Sequence, residues 1–245
     1  MKLPRFQIFL PVSGLFLLIA ATPGLSEDHT SPSPPNRQIT VSVAGLRVPE
    51  KAWEHYVRAR EATATRNEQQ FERETEAALA IEPNFAALYV LKATHKIHEG
   101  HLEEGMEDAL TARQIEPGVT WSGIALASAY NGLHRYHDAF LVLSMTRAPE
   151  STTWQAAYEM ARASIGISNA EQALYWSGQT LKLAPPTCRE VHILRGNALL
   201  LAQHFPDAAR ELRLYLVAEG PQKPHPDIER IVRSLEHQTP DVASN

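Results

Sequence analysis

The chain has 245 residues, of which 44% are hydrophobic and 21% charged, and a formal net charge of −5 at pH 7. A chain of this size and apolar content builds a continuous core without staples. Its negative balance argues against nucleic-acid binding, which requires clustered Lys and Arg that the chain lacks, and its single cysteine, Cys188, excludes an intrachain disulfide framework.

At the amino end, Lys2 and Arg5 precede an apolar stretch from Phe6 to Ala21 that Pro11, Ser13 and Gly14 interrupt, and small residues continue to Ser26. Residues 1–26 have the form of a secretory signal peptide. A membrane anchor competes with that reading, but a span needs about 20 apolar residues and this stretch is shorter and broken. Cleavage after Ala21 and cleavage after Ser26 both satisfy the small-residue rule. With no cysteine after the apolar stretch, a lipid-modified terminus is not expected. The expected product is exported, to the periplasm or beyond, with no stable membrane insertion of the mature chain.

Residues 27–48 read as a disordered tether, rich in Ser and Pro from Ser31 to Pro35, that passes into an extended leader. Ile39, Val41 and Val43 alternate there with polar or small residues. A lone strand finds no partner in a helical stack, so a leader lying on the first helices is the expectation.

From 49 to 223 the prolines keep a clock. Pro83 and Pro117 lie 34 residues apart, and Pro49, Pro149 and Pro185 fall within two residues of the same spacing. The period carries side chains as well. With the terminal proline placed at position 32, and the third and fifth units anchored on Ala139 and Ala208 instead, position 8 of the first helix reads Ala59, Ala93, Ala127, Ala161 and Gly196. Position 20 of the second helix reads Gly105, Ala139, Ala173 and Ala208, with Phe71 the exception in the first unit. Two helices crossing at about 8–10 Å need small side chains where they touch, which is the demand these positions meet. Leu102, Tyr136 and Phe205 at position 17 are the expected plugs between units. Thr152 with Gln155 and Thr187 with Glu190 form candidate capping boxes, and Pro49 and Pro226 suit first helical positions. Over 224–238, Ile228, Ile231, Val232 and Leu235 recur at helical spacing and predict a solubilising cap helix, followed by a disordered tail at 239–245.

This pattern resembles the tetratricopeptide repeat family over about residues 50–220, with secreted bacterial members showing a similar leader. The resemblance implies an all-α, right-handed superhelical stack of about five helix-turn-helix units closed by a C-terminal helix. It further implies a non-catalytic scaffold that holds a protein or peptide in a concave groove lined by the first helices. Carried over unit by unit, the groove residues are Trp53, Tyr56 and Arg60, then Val90, Thr94, Ile97 and His98. The third unit supplies Trp121, Ile124, Ser128 and Asn131, the fourth Gln155, Tyr158, Arg162 and Ile165, the fifth Ile193, Asn197 and Leu200. Family members that clamp a peptide's terminal carboxylate use Lys and Asn where this chain has Tyr56 and Arg60, so that specificity is not expected.

No nucleophile elbow, HExxH, CxxC, Walker or GxGxxG motif occurs, so neither catalysis nor a cofactor is expected. Glu103 and Glu104 are read as first-turn acids that complement a helix dipole. Cys188 stands just ahead of a helix start, where a dipole stabilises thiolate, but without a resolving cysteine it reads as an inert thiol. His98 or His101 with His134 or His137 occupy corresponding turns of adjacent units and are the candidate zinc or copper ligands, against the plainer reading of solvated turn histidines. An envelope assembly or chaperone-like factor with many clients is the alternative to a dedicated adaptor.

Overall fold

The computed structural model describes residues 47–146 and 153–237. The expected leader peptide, tether, Pro149, Thr152 and carboxyl tail lie outside these residues. Ten helices form five pairs: α1 Glu50–Thr65 with α2 Glu68–Ile81, α3 Ala86–Glu99 with α4 Leu102–Ile115, α5 Thr120–Gly132 with α6 Tyr136–Met145, α7 Trp154–Gly166 with α8 Ala170–Leu183, and α9 Glu190–Leu201 with α10 Phe205–Glu219. An eleventh, α11 Pro226–His237, closes the stack, and no strand occurs among the described residues.

The turn inside each pair is built the same way. Arg66, Gly100, His134, Ser168 and Gln203 all take positive φ, between 54° and 88°, at equivalent places in the five pairs. A left-handed residue lets the next amide fold back on the preceding helix. The amides of Asn67, His101, Arg135, Asn169 and His204 accordingly donate to the carbonyls of Ala62, Lys96, Tyr130, Ser164 and Leu199. Only one of the five positions is glycine, so the sequence shows no glycine clock to match the proline clock.

Caps differ in part from the expected boxes. Thr153 caps α7 by accepting from the Ala156 amide, and Asn67 and Asn169 cap α2 and α8 in the same way. Thr187 caps nothing, because α9 begins at Glu190 behind Arg189 and the preceding residues form a turn closed by Cys188 N–H on the Pro185 carbonyl. Pro226 opens α11, whereas Pro49 sits one place before the first helical residue.

Packing follows the small-residue register. Ala59, Ala93, Ala127 and Ala161 on the first helices and Ala139, Ala173 and Ala208 on the second are fully buried. A methyl group on Gly105 would stand 2.6 Å from the Ile97 side chain and 3.0 Å from the Ala93 carbonyl, so α3 and α4 approach as closely as backbones allow. The expected plugs also fit: a methyl on Gly132 would meet Leu102 at 2.9 Å, and one on Gly166 would strike the Tyr136 ring. Phe71 is tolerated in the first pair because its ring stacks 4.0 Å from His95 of α3.

Successive first helices touch one another from α1 to α9, while each second helix packs on its own first helix and on the next first helix. The first helices therefore form the tighter inner layer and the second helices the outer one. At the carboxyl end, Ile228, Val232 and Leu235 of α11 join Leu212 and Tyr215 of α10 in one apolar cluster.

Candidate partner-binding surface

The first two pairs enclose a cleft. Arg60 and Thr63 of α1 and Thr94, Lys96 and His98 of α3, together with the α2 and α4 starts, line a cleft of about 900 Å³. Its walls carry both charges. Lys96 reaches Asp108 at 2.9 Å and Glu104 at 3.5 Å, and these two carboxylates more than offset burial, which alone would lower the amine's pKa, so that it lies above its ordinary value. Hydrogen bonding from His101, then from Lys96, holds the exposed Glu104 carboxyl below its usual range. His95 meets Glu68 at 2.7 Å across the cleft mouth. Arg60 makes no ion pair with any described residue, which leaves a half-buried guanidinium facing the cleft.

The centre of the layer is different in kind. Glu159 of α7 is 1% exposed, and Arg162 one turn on places Nη1 at 2.9 and 3.1 Å from its two carboxylate oxygens. From α5, Asn131 Nδ2 donates to the same carboxylate at 2.8 Å and to the Glu159 backbone carbonyl at 2.9 Å. A buried carboxylate survives only when its charge and lone pairs are met, and here one Arg and one Asn meet them. The network ties α5 to α7 across the boundary between the third and fourth pairs. Burial, with Glu159 adding to it, pushes the neighbouring Tyr158 hydroxyl far above its ordinary pKa.

No protein-family model matches the chain, nor does any curated protein sequence. Among solved structures the fold resembles that of PilW, described as a widely conserved type IV pilus biogenesis factor. The TM-score is 0.67 at 15% identity, over 77% of this chain and 87% of that one. At that identity the likeness establishes a tetratricopeptide-like helical stack and nothing finer. No helix among the described residues is long and apolar enough to cross a membrane.

Of the residues expected in the groove, the structure brings Arg60, Thr94 and His98 together on the cleft. Trp53 packs edge-on against Tyr56 and Phe85, whose own rings meet at a tilt, at the start of the stack. Val90, Ser128 and Gln155 are buried, while Asn197 is half-buried. Ile97 lies under Gly105 of α4, Ile124 packs with Ala139 and Leu143 of α6, and Ile193 packs with Ala208 and Leu212 of α10. Those three isoleucines serve the inter-helix core. Trp121 is half-buried beside Ile124 and Met160, and Tyr158 sits in a separate cluster with Ala161 and Leu194, so the two aromatics do not form one patch. Arg162 is committed to Glu159 and is not a spare cation.

Other expectations resolve at the turns. No three His, Cys, Asp or Glu side chains among the described residues converge to hold a metal. His101 meets Glu104 at 3.3 Å, and His134, the left-handed turn residue of the third pair, bonds the Tyr136 hydroxyl at 2.6 Å through Nδ1. His137 is exposed on α6. Cys188 stays a thiol, because burial and the Glu190 carboxylate 3.7 Å away push its pKa to about 12. Glu159 went unnoticed in the sequence, although its spacing of three from Arg162 was the available signal.

Proposed function

We propose that this chain is a non-catalytic tetratricopeptide-like scaffold that binds a protein or peptide segment along its inner layer, entering at the cleft of the first two pairs. The observation that supports this reading most is the 900 Å³ cleft, into which Arg60, Thr94 and His98 converge from consecutive first helices. A mixed-charge cleft lined by Arg60 and Arg66, neither in an ion pair with a described residue, suits a polar segment carrying a carboxylate, which an Arg fork binds in bidentate fashion. The export leader expected at 1–26 places the encounter outside the cytoplasm.

Site-directed photo-crosslinking in the source cell's envelope fraction tests the reading. A crosslinker at Arg60 or His98 should capture a discrete protein band that one at Gln69, on the outer layer, does not. Arg60→Glu should weaken binding of the captured partner with no change in thermal melt. Equal capture from Gln69 would reject the cleft as the site. A second reading, an envelope assembly factor with many clients, draws on the fold shared with PilW, a pilus biogenesis factor; a ladder of many apolar clients in place of one band would favour it.

A further inference from the structure

The outer layer has a pattern of its own. Taking the residue two places beyond the contact position of each second helix (Phe71, Gly105, Ala139, Ala173, Ala208) gives Arg73, Glu107, Leu141, Tyr175 and Arg210 along the stack. All five are exposed. The middle of the row is apolar: Leu141 is 57% exposed and Tyr175 55%, and Met145, one turn further along α6, is 66% exposed. On one side of that patch α4 presents Glu103 and Glu107, neither in an ion pair with a described residue; on the other, α10 presents Arg210 and Arg213. Those two arginines touch Asp207 and Glu236, yet their side chains remain 69% and 62% exposed, so the fork keeps donors for a further carboxylate.

An order of acid, apolar, apolar, base is complementary to itself read backwards. We infer that the outer layer is a two-fold interface on which a second copy of this chain docks antiparallel. With the axis between α6 and α8, Leu141 meets Tyr175 of the second copy and Glu107 meets Arg210 of the second copy, each contact occurring twice as an isologous interface demands. Leu141, Met145 and Tyr175 supply the apolar burial and the charges on α4 and α10 fix direction, since a parallel arrangement would set Glu107 against Glu107. A two-fold of this kind leaves both inner layers facing outward, so the pair presents two clefts to a partner and gains avidity for any multivalent one. The contact involves none of the cleft residues and stands apart from the reading of that site.

Sedimentation equilibrium of the full-length mature protein, over a wide concentration range, tests the inference. Reversible dimerisation is expected, weakened by Leu141→Asp and by Tyr175→Asp. Both side chains are exposed, so circular-dichroism melts should match the parent. Glu107→Arg and Arg210→Glu should each weaken the dimer by about tenfold at low salt, less at high salt, and the double exchange should restore it. A monomer at every concentration would overturn the inference, as would a dimer indifferent to both aspartate substitutions. So would a double exchange that binds no better than either single one. A chain that stays monomeric but loses a co-purifying protein on Tyr175→Asp would assign the patch to that protein instead.

Discussion

Arg162 shows how a residue's role turns on one neighbour. As a lone arginine on an inner-layer helix it reads as a receptor for a partner's carboxylate, but the carboxylate it holds belongs to its own helix. Removing one member of a buried pair strands the other charge, at a cost of about 3–5 kcal/mol. Arg162→Ala should therefore lower the denaturation midpoint strongly. Glu159→Gln combined with Arg162→Ala should recover much of the loss, because no uncompensated charge then remains. Urea unfolding of the two variants measures both, and a single variant as stable as the parent would show that Glu159 finds another counter-charge. Cys188 makes the same point more mildly. Its place before a helix suggests an activated thiolate, whereas burial beside Glu190 raises its pKa to about 12 and leaves it unreactive at neutral pH.

At the scale of the element, the five left-handed turn residues set the pairing of helices more directly than the prolines do. Gly100 adopts φ of 88° without strain, so Gly100→Ala should destabilise by about 1 kcal/mol. Ser168 holds φ of 60° against its own Cβ, so Ser168→Gly should be neutral or stabilising. Thermal melts of the two variants should move in opposite directions, or the second not at all; equal loss in both would deny the turns their common geometry. The first pair has a further element-level feature. The buried Glu74 of α2 meets His55 at 2.7 Å, Arg58 at 3.0 Å and Arg73 at 3.1 Å, and hydrogen bonding from His55 leads the effects that hold its carboxyl below the ordinary value against a smaller burial penalty. A carboxyl with a depressed folded pKa stabilises above the unfolded value of about 4.3, and that contribution disappears as pH falls through the folded pKa. The first pair should therefore loosen on acidification below that range. Glu74→Gln should be less stable than the parent at neutral pH and show a flatter acid limb; parallel pH profiles would mean that Glu74 adds nothing to folding.

For the whole molecule, each pair touches only its neighbours, so stability is a sum of local terms and not a single cooperative quantity. Helix α11 covers the apolar end with Ile228, Val232 and Leu235. Ending the chain before Pro226 should expose Tyr215 and Leu212, speed hydrogen exchange through α9 and α10, and leave α1–α4 protected as before. Uniform loss of protection from end to end would mean that the stack unfolds as one unit. Leu235→Ala, a milder version, should cost about 2 kcal/mol at that end alone.

Features that depend on period were legible from residue spacing alone. The spacing of Pro83 and Pro117, the small residues at Ala93 with Gly105 and at Ala127 with Ala139, and the apolar stripe of α11 are local repeats, and a local repeat is legible because identical units must bury the same faces in the same way. Helix order, the unit count and the plugs Leu102 and Tyr136 followed from that. Where a periodic position meets something from another unit is fixed only when the pairs stack. Ile97, Ile124 and Ile193 share the register of groove residues, yet the second helices close over them. Arg162 is turned inward onto Glu159, which Asn131 ties across pairs, and Tyr158 is buried against Ala161 and, from the next pair, Leu194. Four of the five left-handed turns lack the glycine that would have announced them. The cleft at Arg60, Thr94 and His98 likewise exists only once α1 to α4 are stacked, since its walls are drawn from four helices and its polar contacts from pairs such as His95 with Glu68, 27 residues apart.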